Sequence, residues 1–482
     1  MTPDEFREYG HKLIDWLADY RAGIASRPVI AQTEPGQVKT ALPTDPPADP
    51  EPFDAVIADL DRVVMPGLTH WQHPRFFGYF PSNASLASVL GDLVSSGLGV
   101  IGLNWQASPA LTELEEVVCD WVRRALGLSA AWSGVIQDTA STGSLLALLC
   151  ARERATNFSL ARGGLQAEPR SLTVYVSTQS HSSVEKAALL AGFGRENVRA
   201  VPHDDAFAMR PDALDEMVTA DLAAGRLPCA VVATTGTTAS TALDPITPIA
   251  DVAARHRLWL HVDAAMAGSA MILPECRWMW EGVERADTVL LNPHKWLGAA
   301  FDCSLYYTRD PDHLVRVMST NPSYLRTAAD GRVTNYRDWG IALGRRFRAL
   351  KLWCLIRSEG VSGLQARLRR DVDNAKWVAG QVRATPHWSV VAPVPLQTVC
   401  VVHEPPGVTG EALDAHTRAW AERVNRSGRA YLTPAILGGR WVARVSVGAE
   451  QTTRADVEAL WALVRSAAEG GGQNTIQYMK NC

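Results

Sequence analysis

The chain has 482 residues, 47% hydrophobic and 20% charged, enough for a large core divided among two or three lobes. A net charge of −4 gives no electrostatic footing for nucleic acid or an acidic membrane surface, and no apolar run reaches the roughly eighteen residues of a membrane span. The polar, acidic start Met1-Thr2-Pro3-Asp4-Glu5-Phe6 lacks the basic and apolar stretches of a signal peptide.

The cysteines are Cys119, Cys150, Cys229, Cys276, Cys303, Cys354, Cys400 and Cys482. No two form a CxxC pair and several sit inside apolar runs, so buried reduced thiols are expected rather than a disulfide frame or a zinc site. That fits the cytoplasm, and no metal is expected.

Phe6, Tyr9, Leu13, Trp16, Leu17 and Tyr20 recur at helical spacing and predict an opening helix. Pro35, Pro43, Pro46, Pro47, Pro50 and Pro52 then remove too many amide donors for a helix or central strand, so an extended connector comes next. A start of this kind either wraps a partner subunit or forms a loose leader. Ser108-Pro109 predicts a capped helix that buries Leu114, Val117, Val118, Trp121, Val122 and Leu126. Short β-rich runs stand at Leu172–Val176, Ala230–Thr234, Leu258–Val262 and Thr288–Leu291, with helical stretches near Ser182–Ala191, Pro211–Ala224 and Pro248–His256. This alternation, from about 86 to 360, indicates an α/β fold with a mostly parallel sheet covered on both faces. Ligands of such sheets sit at the carboxyl ends of the strands. From about 361 to 465, helical patterns at Gly363–Val382, Gly410–Ser427 and Arg454–Ala468 alternate with β-like runs at Thr398–His403 and Trp441–Val447, the pattern of a smaller α+β lobe. Gly470-Gly471-Gly472 and the residues to Cys482 read as a disordered tail.

Four stretches carry chemistry. Asn292-Pro293-His294-Lys295-Trp296 comes directly after the apolar run Thr288–Leu291. A lysine there is poorly placed for a solvated surface, and burial favours the neutral amine that attacks an aldehyde, as a Schiff-base lysine must. A His-Lys pair alone means little. Upstream, a hydrophobic run ends at Asp263, whose carboxylate needs a partner if buried. The protonated pyridine nitrogen of pyridoxal 5′-phosphate (PLP) is one such partner, because a carboxylate there lets the ring absorb electrons from a breaking Cα bond. Capping of the next helix is the other reading of Asp263. Ala264, Ala265, Ala267 and Gly268 either leave room for a flat ring or pack closely. His181, in Gln179-Ser180-His181-Ser182-Ser183, is placed to lie over such a ring or is an ordinary polar loop residue. Asp138-Thr139-Ala140-Ser141-Thr142-Gly143-Ser144 leads into the helix Leu145–Arg152, as a phosphate site or simply a helix cap.

Taken together and in this order, Ala-Ser-Thr-Gly, Ser-His-Ser-Ser, His-Val-Asp-Ala-Ala and Asn-Pro-His-Lys-Trp resemble the group II PLP-dependent decarboxylases, specifically the aromatic L-amino-acid decarboxylases. The resemblance includes Trp71 to Pro81, Asn104 to Pro109, Asn335 to Trp339 and Leu343 to Arg348, and covers roughly residues 1 to 465. It implies a type I PLP-dependent aminotransferase-like fold, with a mostly parallel seven-stranded sheet, flanking helices and a smaller C-terminal α+β domain. It also implies an obligate homodimer with active sites at the interface. Three regions are expected: 1–85, a helical segment packing on the partner subunit; 86–360, the large PLP-binding domain; and 361–482, the small domain, with a disordered tail from about 470.

The resemblance assigns Lys295 as the lysine that carries PLP, Asp263 as the partner of the pyridine nitrogen and His181 as the ring-stacking histidine. Ala140 and Ser141 match the phosphate-binding turn; Thr238, Asn292 and His294 complete the cofactor contacts. Tyr324 matches a tyrosine on a mobile loop that protonates Cα after CO2 leaves; as a residue on its own it could equally be a surface-loop tyrosine. Family members with phenylalanine there tend to be oxygen-dependent aldehyde synthases, so Tyr324 and His181 favour simple decarboxylation. Trp71, Tyr79, Phe80, Pro81, Ile101 and Leu103 match the substrate wall, although each alone reads as plain core. Ser82 stands where the family often has threonine near the substrate carboxylate. Leu103 replaces an aromatic found in many members, which weakens any transfer of substrate preference. Gly344 matches a position where serine goes with smaller or more polar rings, and glycine leaves space for an indole or a catechol. The expected activity is that of a carboxy-lyase on tryptophan, with phenylalanine, tyrosine and DOPA close behind. The competing readings are an aromatic aldehyde synthase, a histidine or glutamate decarboxylase, and a non-catalytic relative.

Overall fold

The structure is a computed structural model and describes residues 1–320, 325 and 327–470. The first helix, α1 (Pro3–Gly23), begins where the sequence caps it: the Thr2 hydroxyl accepts from Glu5 N–H, the Glu5 carboxylate accepts from Thr2 N–H, and Pro3 takes the first turn. The proline-rich connector is irregular except for the single turn α2 (Gln37–Thr40), and it ends at α3 (Phe53–Asp59). Next come α4 (Leu86–Leu98) and α5 (Pro109–Leu126), capped by Ser85 and Ser108. The alternating region is β1 (Ser133–Gln137), α6 (Ala140–Ala155), β2 (Leu172–Ser177), α7 (Ser182–Leu190), β3 (Val198–Val201), α8 (Pro211–Ala223), β4 (Leu227–Thr234), α9 (Ile246–His256), β5 (Trp259–Asp263), β6 (Thr288–Leu291), β7 (Ser304–Thr308) and α10 (Pro311–Met318). The remainder is α11 (Arg348–Ala384), broken at Gly360, then β8 (Trp388–Val390), β9 (Thr398–His403), α12 (Gly410–Arg426), β10 (Thr433–Leu437), β11 (Arg440–Ser446) and α13 (Arg454–Glu469).

These elements form two compact units. One comprises residues 82–373 and 392–398; the other comprises residues 1–81, 374–391 and the chain from Val399 on. The first unit holds a seven-stranded sheet in the order β1-β7-β6-β5-β4-β2-β3. Neighbours from β6 to β3 pair in parallel, while β7 runs antiparallel to both β6 and β1. Two antiparallel steps restore direction, so β1 ends at the same edge as β2, β4, β5 and β6. Every residue of β2, β5, β6 and β7 is buried, as a sheet covered on both faces requires. On one face Val174, Val176, Ala230 and Val232 pack with Leu146, Ala147, Val184 and Ala188 of α6 and α7.

The second unit holds a four-stranded sheet in the order β10-β11-β9-β8, with β10/β11 and β8/β9 paired antiparallel. Residues from the chain start join it: Val29 N–H donates to Gly428 O at 2.8 Å, Phe77 N–H donates to Tyr431 O at 2.9 Å, and Arg21 pairs with Glu450 at 3.3 Å.

Helix α5 turns a different face inward from the one its apolar pattern suggests. Leu111, Glu115, Val118, Cys119, Val122 and Leu126 are buried, whereas Val117 is 43% exposed and Leu114 and Trp121 are half-buried. The cause is Glu115, a charged residue held inside by Arg345 and by the Ile136 N–H. The described cysteines are free; all are buried except Cys354, which is half-buried. Among the described residues no helix is long and apolar enough to cross a membrane. Cys482, with the tail from residue 471, lies outside the described residues.

Candidate active site

The turn after β6 is built from both sides. Leu290 and Leu291 are fully buried, and Asn292 N–H donates to Ala265 O at 2.9 Å, so the turn is registered against the end of β5. Lys295 N–H donates back to Asn292 O, and the lysine backbone leaves helical geometry at φ −97° and ψ −112°. Two residues of α11 hold the chain immediately after the lysine. Arg367 donates to the carbonyls of Trp296 and Leu297 at 3.0 and 2.6 Å, and Asp371 accepts from Trp296 Nε1 at 2.9 Å. Gly298 is required there: its φ is 98°, and an added Cβ would stand 2.8 Å from the Arg367 guanidinium. From the other side Ser82 Oγ donates to His294 O at 3.3 Å, Asn83 N–H to Lys295 O at 3.4 Å and Ser85 N–H to Gly298 O at 3.0 Å. Lys295 itself is half-buried.

His294 is buried, its Nδ1 accepts from Cys303 N–H at 2.9 Å, and its ring leans on Phe301 at 4.8 Å. Burial, then the Lys295 charge, pulls its pKa down to about 4, so the imidazole is neutral at physiological pH. The accepting Nδ1 puts the proton on Nε2.

Asp263 closes β5 and is 4% exposed; its Oδ1 accepts from Ala265 N–H at 3.0 Å. The small residues after it are largely close packing. Ala264 and Ala267 are fully buried, and a Cβ on Gly268 would come 2.6 Å from Leu291 Cβ, so only Ala265 among the four is partly open. His181 caps α7, with Nδ1 accepting from Ser183 N–H at 3.2 Å, and keeps its ring exposed. The surrounding protein and the Lys295 charge lower its pKa, while Asp263 opposes them. The Lys295 amine and the Asp263 carboxylate thus both reach the His181 imidazole electrostatically, with opposite sign.

Thr238 lies half-buried in the loop after β4. The loop is closed by Gly236 and Thr237 N–H on Ala242 O, and by buried Asp244, whose carboxylate accepts from Thr234 and Met209 N–H at 2.7 Å each. Helix α6 begins at Ala140 and Ser141 without a side-chain cap on its first amides. Ser141 is exposed and Ala140 buried.

The substrate-wall residues fall into the two units. In one, Trp71 stacks on Tyr79 at 5.4 Å and lies tilted against Phe76 at 4.6 Å, Tyr431 lies 5.8 Å from Tyr79, and Arg444 lies over Phe80 at 5.1 Å. Pro81 is buried beside them in sequence. In the other, Ile101 and Gly344 are exposed neighbours, Leu103 is half-buried, and Ser82 docks on the lysine turn. Tyr324 lies outside the described residues. Sequence reading missed Arg367, Asp371, Glu115, Asp244 and Tyr431. The signal for the first three was a charge set within an apolar helical stripe, as with Arg367 and Asp371 among Leu364, Leu368 and Val372.

The site suits a flat, phosphorylated aldehyde. The uncapped start of α6 offers free amides to an anion, the buried Asp263 carboxylate suits a ring cation, and the buried Asn292 Oδ1 has no hydrogen-bond partner among the described residues. Fold and site thus define a PLP-dependent lyase. Residues 35–403 match the pyridoxal-dependent decarboxylase conserved domain, and the chain belongs to that family. It is 40% identical over 478 residues to tryptophan decarboxylase 2 of Oryza sativa subsp. japonica, covering 97% of this chain and 95% of the relative. It is 39% identical over 478 residues to phenylacetaldehyde synthase of Arabidopsis thaliana, covering 97% and 96%. The crystal structure of Oryza sativa TDC with PLP and tryptamine superposes with a TM-score of 0.95 at 39% identity, over 98% of this chain and 99% of that one.

Proposed function

We propose that this enzyme decarboxylates an aromatic L-amino acid, tryptophan foremost, to the arylalkylamine and CO2, as a cytoplasmic homodimer. The observation that carries the reading is that Lys295, in the turn after β6, and Asp263, at the end of β5, both act on His181 at the carboxyl edge of one sheet.

When bound, PLP supplies an electron sink for the carbon that loses CO2. Lys295 is its covalent anchor, and the backbone bonds on either side hold the amine's starting point still. Asp263 keeps a proton on the pyridine nitrogen, because a buried carboxylate favours a cation beside it. His181 would cover one face of the ring. Ala140 and Ser141 hold the phosphate at the start of α6, and Thr238, Asn292 and neutral His294 complete the cofactor contacts. Ser82 faces the substrate carboxylate. Tyr324 returns a proton to Cα, which sends the product to amine rather than aldehyde.

Ile101, Leu103 and Gly344 are assigned to the wall for the aromatic ring, and the family resemblance assigns Trp71, Tyr79, Phe80 and Pro81 to contacts with the same ring. Gly344 supports a large ring, since among the described residues a Cβ added there would meet only Ile101 Cγ2, at 3.4 Å. The relatives include both a tryptophan decarboxylase and an aldehyde synthase at nearly equal identity, so the choice of amine and of tryptophan rests on the residue types at Tyr324 and Gly344. A second copy is supported by α4, whose Leu86, Leu90, Leu93, Val94 and Leu98 form an apolar face between 49% and 59% exposed. The opening segment, with Phe6, Ile14 and Leu17 exposed, packs on the same partner. Free thiols support a reducing compartment.

The test is mass spectrometry of products after incubation with all twenty amino acids and DOPA, together with borohydride trapping. Tryptamine, and a PLP adduct at Lys295, are expected. Aldehyde as the main product overturns the amine assignment, and absence of any lysine adduct overturns the site.

A further inference from the structure

The outer edge of β1 is paired by side chains instead of a strand. Ile136 N–H donates to Glu115 Oε1 at 2.8 Å, and Ile136 O accepts from Arg345 Nη2 at 2.7 Å. Arg345 Nη2 also donates to Glu115 Oε1 at 2.6 Å, so carboxylate and guanidinium close a ring on the N–H and C=O of one residue of an edge strand. Glu115 is fully buried and Arg345 is 6% exposed, with its guanidinium 4.9 Å from the Tyr336 ring.

Two parts of the proposed site hang on this pair. Four residues beyond Ile136 the chain reaches Ala140, the first residue of α6. On the other side Arg345 O accepts from Gly102 N–H at 2.9 Å, which fixes residues 101–103 against Gly344. Gly102 also packs on Leu111, one turn before Glu115 on α5. The pair is a poor choice for stability alone. Glu115 Oε2 and Arg345 Nη1 are buried without hydrogen-bond partners among the described residues, and an apolar pair of similar volume would cost less to bury.

We propose that Glu115 is a positioning residue that acts through Arg345 and sets the phosphate end of the site and the wall for the aromatic ring together. It touches neither cofactor nor substrate. The inference rests on the proposed function, since it takes Ala140, Ile101, Leu103 and Gly344 as parts of one site.

Two full-length variants test it. Glu115→Asp keeps the charge beside Arg345 but withdraws the carboxylate by about 1.5 Å. It is expected to melt near the wild-type temperature, to raise KM for tryptophan about tenfold with kcat changed less than about threefold, and to weaken PLP binding to the apo protein. The ratio of kcat/KM for tryptophan over phenylalanine should fall. The double variant Glu115→Gln with Arg345→Met removes both charges; it should regain any lost stability without regaining KM or PLP affinity. Wild-type KM, substrate ratio and PLP dissociation constant in Glu115→Asp overturn the proposal. So does their restoration in the double variant, which also decides the matter if Glu115→Asp does not fold. A wild-type protein that makes no arylalkylamine sinks the functional reading instead, and the PLP dissociation constant then tests the positioning role by itself.

Discussion

Trp296 Nε1 donates to Asp371 Oδ2 at 2.9 Å, which ties the residue after Lys295 to α11. Burial pushes the Asp371 carboxyl up to about 6, against the opposing pull of Arg370 and the Trp296 bond. Between the unfolded value near 4 and this folded value, the native state holds a proton that the unfolded chain has released. The protonated form's advantage is complete below about pH 4 and lost as pH rises through 6, costing up to roughly 3 kcal/mol. Asp371→Asn keeps an oxygen for Trp296 and cannot ionise. Denaturant unfolding of both proteins at pH 4.5 and 7.5 should show the variant gaining on wild type with rising pH; a constant difference contradicts the shifted carboxyl.

Asp263 ends β5 with its carboxylate buried, and the role proposed for it is to keep the pyridine nitrogen charged. Asp263→Asn preserves shape and the Ala265 bond but removes the charge. A fall in kcat on the order of 100- to 1,000-fold is expected, with PLP still attached to Lys295. Stopped-flow turnover and the absorbance of the bound cofactor measure the two. Unchanged kcat would mean that Asp263 is only the cap its Ala265 bond resembles.

Tyr324→Phe removes the proposed proton donor to Cα. Products should move from amine toward aldehyde, ammonia and hydrogen peroxide in the presence of oxygen. Peroxide release, read by a coupled dye assay alongside amine yield, distinguishes this from a simple loss of rate. A variant that makes amine alone rules out the proton-donor role.

Gly344→Ser places a hydroxymethyl group against Ile101, where the Cβ itself fits at 3.4 Å. Folding should be unaffected. Preference for tryptophan over tyrosine should drop about 10- to 100-fold in kcat/KM, because a pocket selects by space and unpaired polar groups. An unaltered ratio would remove Gly344 from the wall.

Much of this protein was legible in its chain. The alternation of short apolar runs with amphipathic helices determines a covered parallel sheet, and β6, predicted at Thr288–Leu291, occupies those residues. The motif residues Asp263, Asn292 and Lys295 were readable because each sits directly after an apolar run, where a polar side chain has a local reason to stand out. Local patterns could not tell which charges go inside. Glu115 and Val117 exchange places relative to the apolar pattern of α5, and Arg367 with Asp371 enters the core to hold the lysine turn. Those outcomes depend on partners 21 to 230 positions away in the chain, and burying a charge is favourable only once such a partner arrives. The chain by itself thus determined the sheet and the chemical groups at its edge, while tertiary structure decided which buried ion pairs hold them in place, because desolvation is repaid only by contacts made in three dimensions.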